Sequence, residues 1–238
     1  EWENPHVNAV NKEPARASFM GYQSEAAAIE DDYFTSPWYL SLNGSWKFHW
    51  VDQPEKRPVD FHREDYDISE WDDIPVPSDW QMHGYDYPVY LNIEYPFPKN
   101  QPYISHEYNP VGSYKRYFEI PRKWKKMEVY IHFGGVNSAM YLWINNHYAG
   151  YSEDSKTPAV FNITPYLKKG QNSVSIQVYR WCDGSYLEDQ DFFRLSGIER
   201  DVYLFATPGI RIDDFFVKAG LDSTYTSGPF DLDVLCKN

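Results

Sequence analysis

Cysteine is scarce in this chain: Cys182 and Cys236 are the only two among 238 residues. Two thiols cannot build a disulfide framework, and neither sits in a metal-ligand spacing, so both are expected to be free and buried. Positive charge is also short, with 22 Lys and Arg against 35 Asp and Glu and a formal net charge of −13. A field of that sign repels phosphate backbones and anionic headgroups, which removes nucleic acid and membrane surfaces from the partners to consider. No apolar run approaches the roughly 20 residues of a membrane-spanning helix, and residues 1–20 lack the basic-then-apolar layout of a secretory leader. The compartment stays open. Helical periodicity is the last scarcity, since only Ser24 to Asp32 could form a turn or two.

Aromatic rings are abundant. They make up 18% of the chain, with 9 Trp and 21 Tyr. Such rings combine an apolar face with a polar edge, which suits the C–H faces and hydroxyls of sugars. The dominant pattern is alternation. Trp46, Phe48 and Trp50 alternate with Lys47 and His49, and Met127, Val129, Ile131 and Phe133 alternate with Glu128, Tyr130 and His132. Val174, Ile176 and Val178 repeat it against Ser175 and Gln177, as expected of strands with one buried face. Asn145-Asn146 tolerates the left-handed backbone of a tight hairpin, and Lys168 to Asn172 marks another turn. With 17 Pro and little helix, the body is expected to be all-β, a sandwich or a barrel.

Pro208-Gly209 closes that body, and Ile210 to Leu221 opens a fresh strand-like run. Phe230, Leu232, Val234 and Cys236 then alternate almost to Asn238. The organisation expected is a first domain over 1–208 and the start of a second sandwich over 209–238. The segment Pro75 to Tyr114 is long, unpatterned and rich in Pro and Tyr, which predicts a functional loop rather than disorder.

Two stretches carry chemistry. The first runs from Pro77 to Asp86 (PSDWQMHGYD) and on to Tyr90-Leu91-Asn92-Ile93-Glu94-Tyr95. Without further information Trp80 and Tyr85 read as packing, and a lone His83 as structural. His132 falls on the polar side of its strand. The second stretch, Arg180 to Asp191, holds Asp183, Glu188, Asp189 and Asp191 among apolar neighbours. Carboxylates this close repel one another, and a hard cation, an arginine or sugar hydroxyls would relieve that cost. Trp181 and Tyr186 read as packing.

The run from Trp181 to Val202 (WCDGSYLEDQDFFRLSGIERDV) resembles the corresponding segment of the large bacterial β-galactosidases of glycoside hydrolase family 2. Trp2-Glu3-Asn4-Pro5, Pro77 to Tyr95, and Phe133 to Ser138 leading into Tyr151 to Ser155 agree in the same order. The resemblance implies a jelly-roll sugar-binding domain, then an immunoglobulin-like domain, then a barrel bearing two catalytic glutamates that act by retention. No catalytic residue is expected within this chain, which alone is expected to be inactive. The resemblance further implies that Asp191 binds a sodium ion and supports the sugar, and that Asn92 and Ile93 line the galactose pocket. It also implies a magnesium site on Glu1, Asn4, Glu153 and Asp183, with Glu1 and Glu153 departing from the family's aspartate and glutamine. The implied partners are a β-galactoside, the remaining domains of the same protein, and further copies in a homo-oligomer. Other readings are a free-standing carbohydrate-binding module, a family 2 β-glucuronidase or β-mannosidase, and a hydrolase using Glu188 and Asp191 as its own carboxylate pair.

Overall fold

A computed structural model describes residues 1–188 and 190–238. Two antiparallel sheets face each other. The larger has seven strands in the spatial order Ala9–Val10, His147–Ser152, Ala139–Ile144, Gln171–Tyr179, Val111–Glu119, Gly44–Val51 and Asp72–Val76. The smaller has four, in the order Ala159–Asn162, Glu128–Phe133, Val202–Thr207 and Tyr39–Ser41. The chain is thus the all-β sandwich its alternation predicts. Trp46 and Phe48 from one sheet, and Val129, Ile131 and Phe133 from the other, enter one buried cluster with Leu142, Ile176 and Leu204. Burying each such side chain is worth about 1.5–3 kcal/mol. Trp46 can be buried completely because its indole N–H donates to the Leu42 carbonyl at 2.8 Å.

Local signals hold where chemistry demands them. Asn145 and Asn146 both take positive φ, 47° and 69°, between the strands Ala139–Ile144 and His147–Ser152. Ser24 caps the short helix Glu25–Glu30 by accepting from the Ala27 N–H at 3.2 Å. The segment 75–114 is ordered and contributes short strands at Ser78–Asp79 and Val89–Leu91. No helix among the described residues is long and apolar enough to cross a membrane.

The outer faces depart from the one-face-buried pattern. Ser173, Ser175 and Gln177 are buried although they point away from the core. Residues 58–63 lie across that face, where Gln177 donates to the Pro58 carbonyl at 3.0 Å and buried Lys115 donates to the Phe61 carbonyl at 2.8 Å. On the smaller sheet the polar side of the strand Glu128–Phe133 is covered by the N-terminal arm. Tyr130 is buried and stacks on Phe205, while Arg16 lies over the same Phe205 ring at 5.5 Å. His132, which reads as unremarkable in sequence, stacks on Tyr203 with ring centroids 4.4 Å apart. Burial, with help from the Arg16 charge, pushes its imidazole down to about 4.

The strands Arg211–Ala219 and Phe230–Lys237 pair with each other in a separate two-stranded sheet. Arg211 joins it to the sandwich through Glu128 and the Tyr130 phenol, both at 2.6 Å. Most of its side chains are open to solvent, and so is Cys236, which corrects the expectation that both thiols are buried; Cys182 alone is.

Candidate sugar-binding edge and acidic pocket

Pro77 to Tyr95 crosses one end of the sandwich. A single helical turn, Trp80–His83, ends at Gly84 with φ 88°, a value a glycine adopts without strain. Trp80 points into the core and Tyr85 packs edge-on to Phe48, so both are packing residues, as expected. The turn is clasped to the second motif: Trp80 N–H donates to the Ser196 carbonyl, and Ser196 N–H donates to Gln81 Oε1, each at 2.9 Å. Gly197 sits at φ 140° against Ser78, and a Cβ there would come within 2.6 Å of the Ser78 carbonyl oxygen. Only glycine permits that approach.

Beyond the clasp, Val89–Leu91 pairs antiparallel with Phe192–Arg194, and Leu91 lies opposite Phe192. Asn92 and Asp191 are therefore the next positions past the same end of the ladder, although 99 positions separate them in the chain. The Tyr90 phenol donates to the Asp191 carboxylate, and that bond to a negative charge raises the phenol's pKa. Ile93 is 83% exposed, and Leu187 and Phe193 are also exposed nearby in sequence. The three residues expected at the sugar pocket thus share one open rim that mixes amide, carboxylate and apolar surface. Nothing in the sequence marks Tyr90 beyond its place two residues before Asn92 on a strand.

The acidic loop that leads to this rim is built on a single helical turn, Asp183–Tyr186. Tyr186 and Trp181 pack with Ile104 and Phe97, again as expected. Glu188 is fully engaged: the Ser155 N–H donates to one oxygen at 2.7 Å and the Ser155 hydroxyl to the other at 2.6 Å. That leaves it fastening two loops together rather than free to act with Asp191. Asp189 lies outside the described residues.

Behind the loop, Glu153, Asp183 and Cys182 bring ligand atoms within 4.8 Å of one another, all three buried. Burial raises the Glu153 carboxyl to about 8, and the neighbouring Asp183 carboxylate adds to the rise despite a hydrogen bond from the Tyr151 phenol. Two converging carboxylates that pay this cost fit a hard oxygen-seeking cation. The Cys182 thiol does not, since burial holds it protonated well above its ordinary range. The N-terminal arm docks here, with Asp183 N–H donating to the Trp2 carbonyl at 2.9 Å and Glu153 N–H to the Asn8 carbonyl at 3.0 Å. Glu1 and Asn4 are not drawn into the cluster in the same way. The Glu1 carboxylate accepts from the Tyr141 phenol at 3.1 Å, and the Asn4 side chain from the His6 N–H at 3.2 Å.

Comparison with known proteins matches this framework. The chain is 48% identical over 233 residues to a β-galactosidase of Priestia megaterium, covering 96% of this chain and 22% of that protein. It is 44% identical over 225 residues to a β-galactosidase of Vibrio cholerae, covering 94% and 22% respectively. The chain therefore spans about a fifth of the length of these relatives. Among solved structures, a β-glycosidase from Bacteroides vulgatus superposes with a TM-score of 0.63 at 25% identity, over 84% of this chain and 24% of that one. Residues 39–208 match the family model for the sugar binding domain of the glycosyl hydrolases family 2, and this chain belongs to that family.

Proposed function

We propose that this chain is the part of a retaining β-galactosidase that completes the galactose pocket, while the catalytic glutamates lie outside it. The observation that carries the reading is the register that sets Leu91 opposite Phe192 and so brings Asn92 and Asp191 to the same end of the ladder on an open rim, within a chain 48% identical to a β-galactosidase. Asp191 would contribute a carboxylate to the sugar hydroxyls and to a sodium ion, and Asn92 an amide able to donate and accept. Ile93 would offer apolar contact to the ring's C–H face. A sodium ion bound there would supply a positive charge for hydroxyl oxygens to approach. A magnesium ion held by Glu153 and Asp183 would relieve the repulsion between those carboxylates and staple the docked N-terminal arm; Glu1 and Asn4, which here bond to Tyr141 and His6, would have to turn toward the ion to serve as further ligands. Neither role places a bond-breaking step on this chain.

The test is hydrolysis of a chromogenic β-galactoside by this chain and by the full-length product of its gene, with and without sodium. Turnover by the full-length product alone, with a large loss in its Asp191→Asn variant, supports the reading. Turnover by the isolated chain would overturn it.

A further inference from the structure

We propose that Arg180, buried behind the rim, is the positioning residue that holds the Asn92 strand and the Asp191 strand in register. Arg180 directly follows the strand Gln171–Tyr179 in the large sheet, so its backbone is anchored to the rigid body. Its N–H donates to the Pro110 carbonyl at 2.9 Å, and the Asn109 amide grips the next residue through both its oxygen and its nitrogen. The guanidinium reaches from that anchor to both halves of the rim. One nitrogen, Nη2, donates to the Tyr87 carbonyl at 3.1 Å, two residues before the strand Val89–Leu91. The same nitrogen donates to the Arg194 carbonyl at 3.5 Å, at the end of the strand Phe192–Arg194.

The other nitrogen, Nη1, pairs with Asp86, whose carboxylate also accepts from the Tyr108 phenol. Both side chains of this pair are sealed from solvent, at 1% and 0% exposure. The Tyr87 and Trp181 rings lie against the guanidinium, 5.5 and 4.8 Å from its central carbon. A planar fork can make these contacts at once and an ammonium cannot. Because an unpaired buried charge is costly, the arrangement has one low-energy geometry, and the short two-stranded ladder inherits it.

The functional half of this inference rests on the reading of Asn92 and Asp191 as sugar contacts. The test uses Arg180→Lys in the full-length gene product, which keeps the charge facing Asp86 and removes the fork. Hydrogen exchange by mass spectrometry is followed in peptides covering residues 86–93 and 190–196, with Gln171–Tyr179 as reference. Exchange about tenfold faster in the two rim peptides, with the reference unchanged, is expected. In the same samples KM for the β-galactoside should rise about tenfold with kcat within about threefold.

Unchanged rim exchange overturns the proposal, as does an equal rise in every peptide, which would mark a merely structural role. Local loosening with an unchanged KM also overturns it. If the unsubstituted protein does not hydrolyse the galactoside, the functional reading fails, while the exchange data still decide whether Arg180 sets the register. Should Arg180→Lys not fold, Asp86→Asn, which keeps an acceptor and removes the charge, is expected to loosen the same two peptides.

Discussion

The Tyr90 phenol donates its hydrogen bond to the Asp191 carboxylate across two strands that the chain order keeps far apart. The bond engages one oxygen of that carboxylate, Oδ1. It is made at the surface, where Tyr90 is 52% exposed, so its loss should alter the rim without touching the core. Tyr90→Phe should weaken galactoside binding by about 1 kcal/mol, roughly fivefold in KM, with kcat and thermal midpoint nearly unchanged. Steady-state kinetics of the full-length product with a melting curve check this, and an unaltered KM would show that Asp191 needs no such support.

The buried Glu153 and Asp183 carboxylates predict a stabilising cation. Magnesium at a hundredfold excess over its dissociation constant should add about 2.7 kcal/mol to the stability of the chain, because only the folded state brings the ligands together. Chelation should reverse the gain. Asp183→Asn should abolish the magnesium response while leaving the metal-free protein folded, and calorimetric melts with and without the ion read both effects. A magnesium response that survives Asp183→Asn would place the ion elsewhere.

Two half-buried groups predict opposing pH effects. His132 is pushed from an ordinary value near 6.5 down to about 4, so its contribution is present above about 6.5 and is lost as pH falls toward 4. Burial and the Glu199 charge raise Asp79 from 3.8 to about 6, so its contribution is present below about 3.8 and is lost as pH rises through 6. The two slopes partly cancel between about pH 4 and 6. Asp79→Asn should therefore leave a melting temperature that falls more steeply on acidification than in the parent. His132→Phe, which keeps the stacking on Tyr203, should make it fall less steeply. Identical pH profiles for all three proteins would rule out both assignments.

Gly150 predicts a destabilising substitution of a different kind. A Cβ there would lie 2.5 Å from the Phe161 ring and 2.6 Å from the Val10 carbonyl oxygen. The backbone contact cannot rotate away, so Gly150→Ala should cost about 1–3 kcal/mol and lift the strand Ala9–Val10 from its neighbour. At this chain length that is a fall of roughly 2–12 °C in the midpoint. Limited proteolysis should cut within residues 1–12 first, and cleavage elsewhere at parental rates with an intact arm would contradict the idea.

The legible part of the fold was the part written in short-range pattern. Trp46 and Phe48, or Val129 and Ile131, lie in the core because alternate residues of a strand share a face, and two positions of spacing are enough to see it. The Asn145-Asn146 turn was legible for the same reason. Tyr130 and His132 read as solvent-facing, and they are covered because an arm more than a hundred residues away lies over them. Nothing in the local pattern of residues 127–133 encodes that arm. The rim residues Asn92, Ile93 and Asp191 are marked only by the resemblance of their motifs, while nothing local marks the pairing of Arg180 with Asp86, 94 positions apart. A lone arginine after a strand reads the same whether it ends in water or in an ion pair.

By itself the sequence determined the all-β class, the location of the core strands, the acidic character that turns away polyanions, and the motifs that mark the family. Each of these depends on composition or on neighbours within a few residues. The tertiary structure alone decided which carboxylates meet, that Glu188 is consumed by Ser155 while Asp191 accepts from Tyr90, and that Cys236 lies open while Cys182 is sealed. Those outcomes depend on strand register and on layers laid over strands, and packing of distant segments sets both.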